Sequence, residues 1–189
     1  LRQLGNNNDR RWFAEHKAEY HNLVFEPMLD LVCDLSETMA GNDPGIEIMP
    51  NPKKVISRIY RDTRFSHDKS PYRTNVWVAF HRPATEWQDA PGFYFEITPE
   101  KYEYGMGFYR ASKATMDRFR KSLNERPDRF RQAIQAGKVL DLFTLEGERY
   151  KRPSPAAHGD LQSWFEFKSF YLYAGCAHDR ILRSSRLTD

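Results

Sequence analysis

Cysteine is nearly absent from this chain. Cys33 and Cys176 are the only two thiols among 189 residues, and neither sits in a CxxC or mixed Cys/His spacing. That excludes a disulfide-stapled secreted scaffold and a thiolate zinc site. The two thiols read as small buried hydrophobes in a reducing, cytoplasmic compartment, with a long-range disulfide as the lesser alternative. Long apolar runs are missing as well. Nothing approaches the roughly 18 residues that a membrane span needs, so no membrane partner is expected. The six histidines (His16, His21, His67, His81, His158 and His178) show no HxxxH or HExxH spacing. No metal is expected from them. Ser and Cys never fall in a nucleophile-elbow pattern. Internal repeats, low-complexity tracts and linkers are lacking too.

What is present is enough apolar material for a folded core, at 40% hydrophobic and 14% aromatic residues. A length of 189 residues suits one domain spanning 1–189 better than two small ones. Rings fill much of the core, with 13 Phe, 10 Tyr and 4 Trp.

Helical periodicity opens the chain. Asn6, Asn7, Asn8 and Asp9 are cap-forming residues, and Trp12, Phe13, His16, Tyr20, Leu23 and Val24 follow at helical spacing. Pro27 should kink or restart this helix, because it removes a backbone donor. A second stripe, Met28, Leu31, Val32, Leu35 and Met39, runs to Gly41, and the Gly- and Pro-rich stretch 41–52 reads as a loop. The period then changes to about two, which predicts strands near 54–61, 74–81, 92–98 and 102–109, the last two joined by a turn at Thr98–Lys101. Ser112 predicts a capped helix carrying Met116, Phe119 and Leu123, and Pro127 the start of another carrying Phe130, Ala133 and Ile134. Beyond Gly137 the pattern suggests a short helix near 160–166, a strand near 168–173 and a C-terminal helical stub. The expected architecture is α+β: a mostly antiparallel central sheet packed by a kinked N-terminal helix and a pair of helices after the sheet. Gly105 and Gly107 fall on a predicted strand, away from any strand-to-helix turn. They read as close-packing positions rather than a dinucleotide loop, and no cofactor is expected.

Charge is small overall and uneven locally. From Lys53 to Arg73 seven basic residues (Lys53, Lys54, Arg58, Arg61, Arg64, Lys69 and Arg73) face two acids, Asp62 and Asp68, leaving +5. The whole chain carries +3, so the remainder is −2. An Arg on a half-buried strand needs an anion, and its guanidinium fork suits carboxylate or phosphate. The segment therefore either holds its own counter-charges, with Asp62, Asp68 and the more distant Glu96 orienting the bases, or waits for an anionic small molecule. Two local acids cannot neutralise seven bases, which favours a ligand site built from Arg58, Arg61, Arg64, Lys69, Arg73 and the hydroxyl of Tyr72, with Tyr60 as a further hydroxyl. The acids are better suited to orienting Arg than to holding a metal. A nucleic-acid partner would need a broad basic surface, which the acidic remainder argues against. Alternating Tyr102, Tyr104, Phe108 and Tyr109 could stack bases, yet fit a core equally well. Near the N-terminus, Asn8 and Trp12 read as cap and core residues, or as helpers of an anion site.

The pattern Arg58-x-x-Arg61-Asp62-x-Arg64-Phe65 followed by Asp68-Lys69-x-x-Tyr72 resembles the signature of the bacterial and fungal family called domain of unknown function 2461. Asn6-Asn7-Asn8 through Trp12-Phe13, Pro91-Gly92-Phe93-Tyr94, Gly105-x-Gly107-x-Tyr109 and Lys168-Ser169-Phe170-Tyr171 are similar to it as well. The resemblance covers nearly the whole chain. It implies importance for the Arg-rich segment and adds Tyr109 and Lys168 as secondary site candidates, without assigning an activity.

Overall fold

The computed structural model describes residues 1–46, 55–82, 87–184 and 187. Helices and one five-stranded antiparallel sheet make an α+β fold, with strand order β1-β2-β3-β5-β4. The strands are β1 (Val76–Phe80), β2 (Pro91–Ile97), β3 (Lys101–Phe108), β4 (Thr144–Arg149) and β5 (Phe167–Ala177). By contacts the chain divides into two compact units. The first comprises Leu1–Phe80, Tyr94–Tyr104 and Gly175–Asp189; the second comprises His81–Phe93 and Gly105–Ala174.

In the first unit, a short helix α1 (Arg2–Asn6) precedes α2 (Arg10–Tyr20). The cap of α2 is Asp9, whose carboxylate accepts from the Arg11 and Trp12 amides; among the four cap-forming residues, Asp9 is the one that serves. The expected disturbance at Pro27 takes a specific form. Residues His21–Phe25 make a π-helical turn in which the Glu26 amide donates to the His21 carbonyl, five residues back. Pro27 then sits in the first turn of α3 (Glu26–Asn42), which continues directly from the π-helical turn. The extra residue in the wide turn gives the proline ring room. Met28, Leu31 and Val32 are the buried face of α3, which packs against β1. Cys33 is on the exposed side of the same helix, and Cys176 lies where β5 runs out into solvent. Both are free and exposed, which corrects the reading of buried thiols. Their neighbours at helix and strand spacing take the apolar contacts instead.

The strand expected near 54–61 does not form over the described residues. Two isolated antiparallel bridges, Ile56↔Val78 and Tyr60↔Tyr72, stand in its place. Val55 and Ile56 are consecutive and both buried, which a regular strand facing solvent on one side cannot achieve. Residue 54, and most of the loop expected over 41–52, lie outside the described residues. Inside 41–46, α3 continues to Asn42. The turn Thr98–Lys101 closes β2 onto β3, with the Thr98 amide donating to the Lys101 carbonyl and the Thr98 Oγ1 accepting from the Glu100 and Lys101 amides.

The second unit holds α4 (Lys113–Glu125), capped by Ser112, and α5 (Pro127–Ala136), with Pro127 in its first turn. A short α6 (Val139–Leu142) and β4 follow, both unforeseen; β4 carries Gly147 and is mostly exposed, so its apolar alternation is too thin to read. After a 3-10 turn at Gly159–Leu161 and α7 (Gln162–Phe165), β5 pairs antiparallel with β4, Leu145 facing Leu172. The core here is aromatic. Phe130 meets Trp164 edge-on at 4.9 Å, and Trp164 meets Phe170 likewise at 5.4 Å. Gly105, Gly107 and Gly147 all lie hard against the β5 backbone, where an added Cβ would overlap main-chain atoms. They are close-packing glycines. Arg120 is buried beside this core and satisfied, donating to the Phe167 carbonyl at 2.5 Å and to Asp117 at 3.0 Å. Among the described residues, no helix is long and apolar enough to cross a membrane.

Candidate functional site

The Arg-rich segment is a loop tied at its neck. At Tyr60↔Tyr72 the Arg61 amide donates to the Pro71 carbonyl at 2.9 Å and the Arg73 amide to the Ile59 carbonyl at 2.7 Å. This is the widely bonded type of antiparallel pair, which brings the two side chains close; their rings lie 5.4 Å apart. The chain from 61 to 71 projects from that neck. A second tie comes from the start of α2. Asn8 Nδ2 donates to the Tyr72 carbonyl at 2.9 Å, and the Tyr72 amide donates to Asn8 Oδ1 at 3.0 Å, spanning 64 residues of chain. Asn8 therefore acts on the loop and leaves the capping to Asp9. The Tyr72 ring is buried with Leu4 and Phe13.

Within the loop the acids each take an arginine. Asp62 accepts from Arg64 Nη2 at 2.7 Å and Nε at 3.0 Å. Those bonds, with the Arg64 backbone amide, hold the Asp62 carboxyl down at about 2. Asp68 makes a very short bond with Arg61 Nη1 and accepts from the Ser70 hydroxyl and amide at 2.7 and 2.9 Å. The Arg61 and Ser70 bonds hold its carboxyl far below the usual range. Arg61 Nη1 also reaches Ser70 Oγ at 2.5 Å, and Lys69 Nζ donates to the Thr63 carbonyl at 2.8 Å. Part of the expected ion-pair network is thus real. Glu96 is not in it, because it accepts from Asn75 at 2.5 Å.

Both loop acids are committed to Arg61 and Arg64, leaving Arg58, Lys69 and Arg73 without a carboxylate among the described residues. Arg58 is exposed, which corrects its placement on a half-buried strand; the broken strand turns it outward. Arg73 lies over the Trp77 ring at 4.9 Å. A cleft of about 630 Å³ opens beside the loop neck. Asn8, Tyr60, Arg61, Lys69 and Tyr72 line it, so five of the sequence candidates meet there. Arg58, Arg64 and Arg73 do not line it. Asp9, Arg10 and Thr63 complete the polar lining. Three cations, Arg10, Arg61 and Lys69, therefore face one carboxylate, Asp9. Arg10 and Asp9 carry no site signal in the sequence, since long-range contacts, the Asn8–Tyr72 bonds and the Phe13–Tyr72 ring contact at 4.3 Å, bring the start of α2 to a loop so distant along the chain. Burial, with Tyr60 alongside, pushes the Tyr72 phenol above its ordinary value.

The remaining candidates lie elsewhere. Trp12 stacks on His16 at 3.9 Å and lines a small apolar pocket of about 70 Å³. His67 is exposed on the loop. Tyr109 and Lys168 belong to the second unit; Tyr109 is exposed, and Lys168 makes a short ion pair with Glu148. Tyr102 is buried and Phe108 packs in the aromatic core, while Tyr104 and Tyr109 are exposed, so the four do not form one platform.

No curated protein and no solved structure matches the chain. A family model described as "Conserved hypothetical protein (DUF2461)" matches residues 1–189, the whole chain, and the protein belongs to that family.

Proposed function

We propose that the protein binds a phosphate- or carboxylate-bearing small molecule in the cleft beside the loop neck. One observation carries this reading: among the described residues Arg10 and Lys69 make no ion pair, Asp9 is the one carboxylate beside three cations in the lining, and the loop acids are spent on Arg61 and Arg64. Uncompensated cations in a concave site raise the local concentration of anions. Arg61 adds two donor groups, Nε and Nη2, that make no hydrogen bond among the described residues, and its link to Asp68 and Ser70 keeps the guanidinium in one orientation. Arg58, Arg64, Arg73 and Tyr72 then support the loop or its approach rather than the contact itself. The two free thiols support a reducing, cytoplasmic setting.

A ligand at free concentration L that binds only the folded protein stabilises it by RT ln(1 + L/Kd), so the melting temperature keeps rising with the logarithm of ligand concentration after the site is filled. In thermal-shift titrations, phosphate or a carboxylate metabolite is expected to stabilise the wild type with this logarithmic dependence. Arg10→Gln and Lys69→Gln should each weaken the effect, and together abolish it. Retention of the full shift by the double variant overturns the reading.

A second reading rests on the paired acids: the Arg61–Asp68–Ser70 arrangement holds the loop and serves no ligand. It expects Arg61→Ala to lower the melting temperature with no anion effect in the wild type.

A further inference from the structure

The cleft offers more than charge, and the rest of its lining narrows the ligand. This step rests on the anion reading above. We propose that the ligand is a mononucleotide: a phosphate ester joined through hydroxyl-bearing sugar carbons to an aromatic base. Three features of the lining correspond to its three parts.

Arg10, Arg61 and Lys69 supply donors for the phosphate. Asp9 supplies an acceptor of the other polarity. Its Oδ1 is occupied by the Arg11 and Trp12 amides, both at 2.9 Å, and its Oδ2 makes no hydrogen bond among the described residues. A free carboxylate oxygen repels a second anionic group and accepts from sugar hydroxyls. Tyr60 supplies the ring. It is 61% exposed although its neighbour in the pair, Tyr72, is buried. The neck bonds on both sides of Tyr60 fix its backbone, so its ring is held beside the cleft in a defined place. An exposed, anchored tyrosine next to phosphate donors is a stacking surface for a base. Size agrees: about 630 Å³ lies within the range of roughly 300–1,000 Å³ found for small-molecule sites, and is far more than a bare inorganic anion fills. Stacking alone does not select among bases, because every base has a π-face. Purine and pyrimidine mononucleotides should therefore both bind.

Calorimetric titration of the full chain with adenosine 5′-monophosphate, ribose 5-phosphate, adenosine and inorganic phosphate tests this. The mononucleotide is expected to bind about 5-fold or more tightly than ribose 5-phosphate, the factor that one stacked base contributes. Tyr60→Leu should remove that margin and leave ribose 5-phosphate binding unchanged. Tyr60→Trp should bind the mononucleotide at least as well, with tryptophan fluorescence quenched by it and not by ribose 5-phosphate. Equal affinity for the two phosphates, or a Tyr60→Leu variant that keeps the margin, overturns the mononucleotide while the anion site stands. Failure of every phosphate compound to bind overturns the mononucleotide and leaves the anion reading only its carboxylate form. Tighter binding of adenosine than of the mononucleotide overturns the role given to the cations.

Discussion

Asp62 and Asp68 show how single residues set the character of the loop. Each carboxylate is exposed yet held ionised by an arginine, and by the short turn that places a backbone amide on it. For Asp62 the folded value of about 2 lies below the ordinary 3.8. Any order it lends the loop is therefore complete above 3.8 and is lost as the pH falls toward 2. Following the Asp62 carboxyl carbon by NMR should give an inflection near 2, and Arg64→Gln should return it toward 3.8. An unchanged inflection in that variant would show that the bidentate pair is not the cause. Asn8 acts over a longer range. Replacing it by Ala leaves the Tyr72 amide and carbonyl unpaired in a half-buried place, a loss of about 1–3 kcal/mol. Urea denaturation measures it, and a change below the error would mean that water replaces both bonds. The Arg-rich surplus was legible from counting residues. The identity of the cleft cations was only half legible: Lys69 and Arg61 were among the candidates, whereas Arg10 enters through a contact that no local pattern announces.

At the scale of elements, what could be read was what is encoded locally. Ser112 caps α4, Pro127 opens α5 and Thr98 closes the β2–β3 turn because a cap, a ring-fixed backbone angle and a hydroxyl acceptor act within a few residues. Pro27 announced a break, and the π-helical turn His21–Phe25 is how the chain accommodates it. The run 54–61 misled because alternation of apolar residues also describes two separate bridges with a turn of chain between them. Pairing decides between these, and pairing depends on partners at 72 and 78. β4 escaped because its exposed residues and Gly147 blur the alternation. Gly147 instead reports on β5. Its Cβ would overlap the Ser169 carbonyl, so Gly147→Ala should force β4 away from β5 and destabilise the protein by about 1–3 kcal/mol. Gly159, with open space around it, is the control and should tolerate Ala with little change. Similar effects at both positions would contradict the close-packing role.

For the whole molecule, we propose that residues 1–189 unfold as one domain. Support comes from the chain path: the division between the compact units falls inside β2, β3 and β5. Scanning calorimetry should give a van't Hoff enthalpy equal to the calorimetric one; two resolved transitions would assign the units separate stabilities. The charge distribution is also a property of the whole. A net +3 with the surplus confined to one segment is suited to a local anion site and poorly suited to a broad nucleic-acid surface. The most direct test of this account is the anion-dependent melting temperature of the wild type beside the Arg10→Gln, Lys69→Gln double variant. The account expects a rise with the logarithm of phosphate or phosphate-ester concentration in the wild type and none in the variant, with the ligand-free melting temperatures alike. An equal rise in both proteins, or none in either, contradicts it.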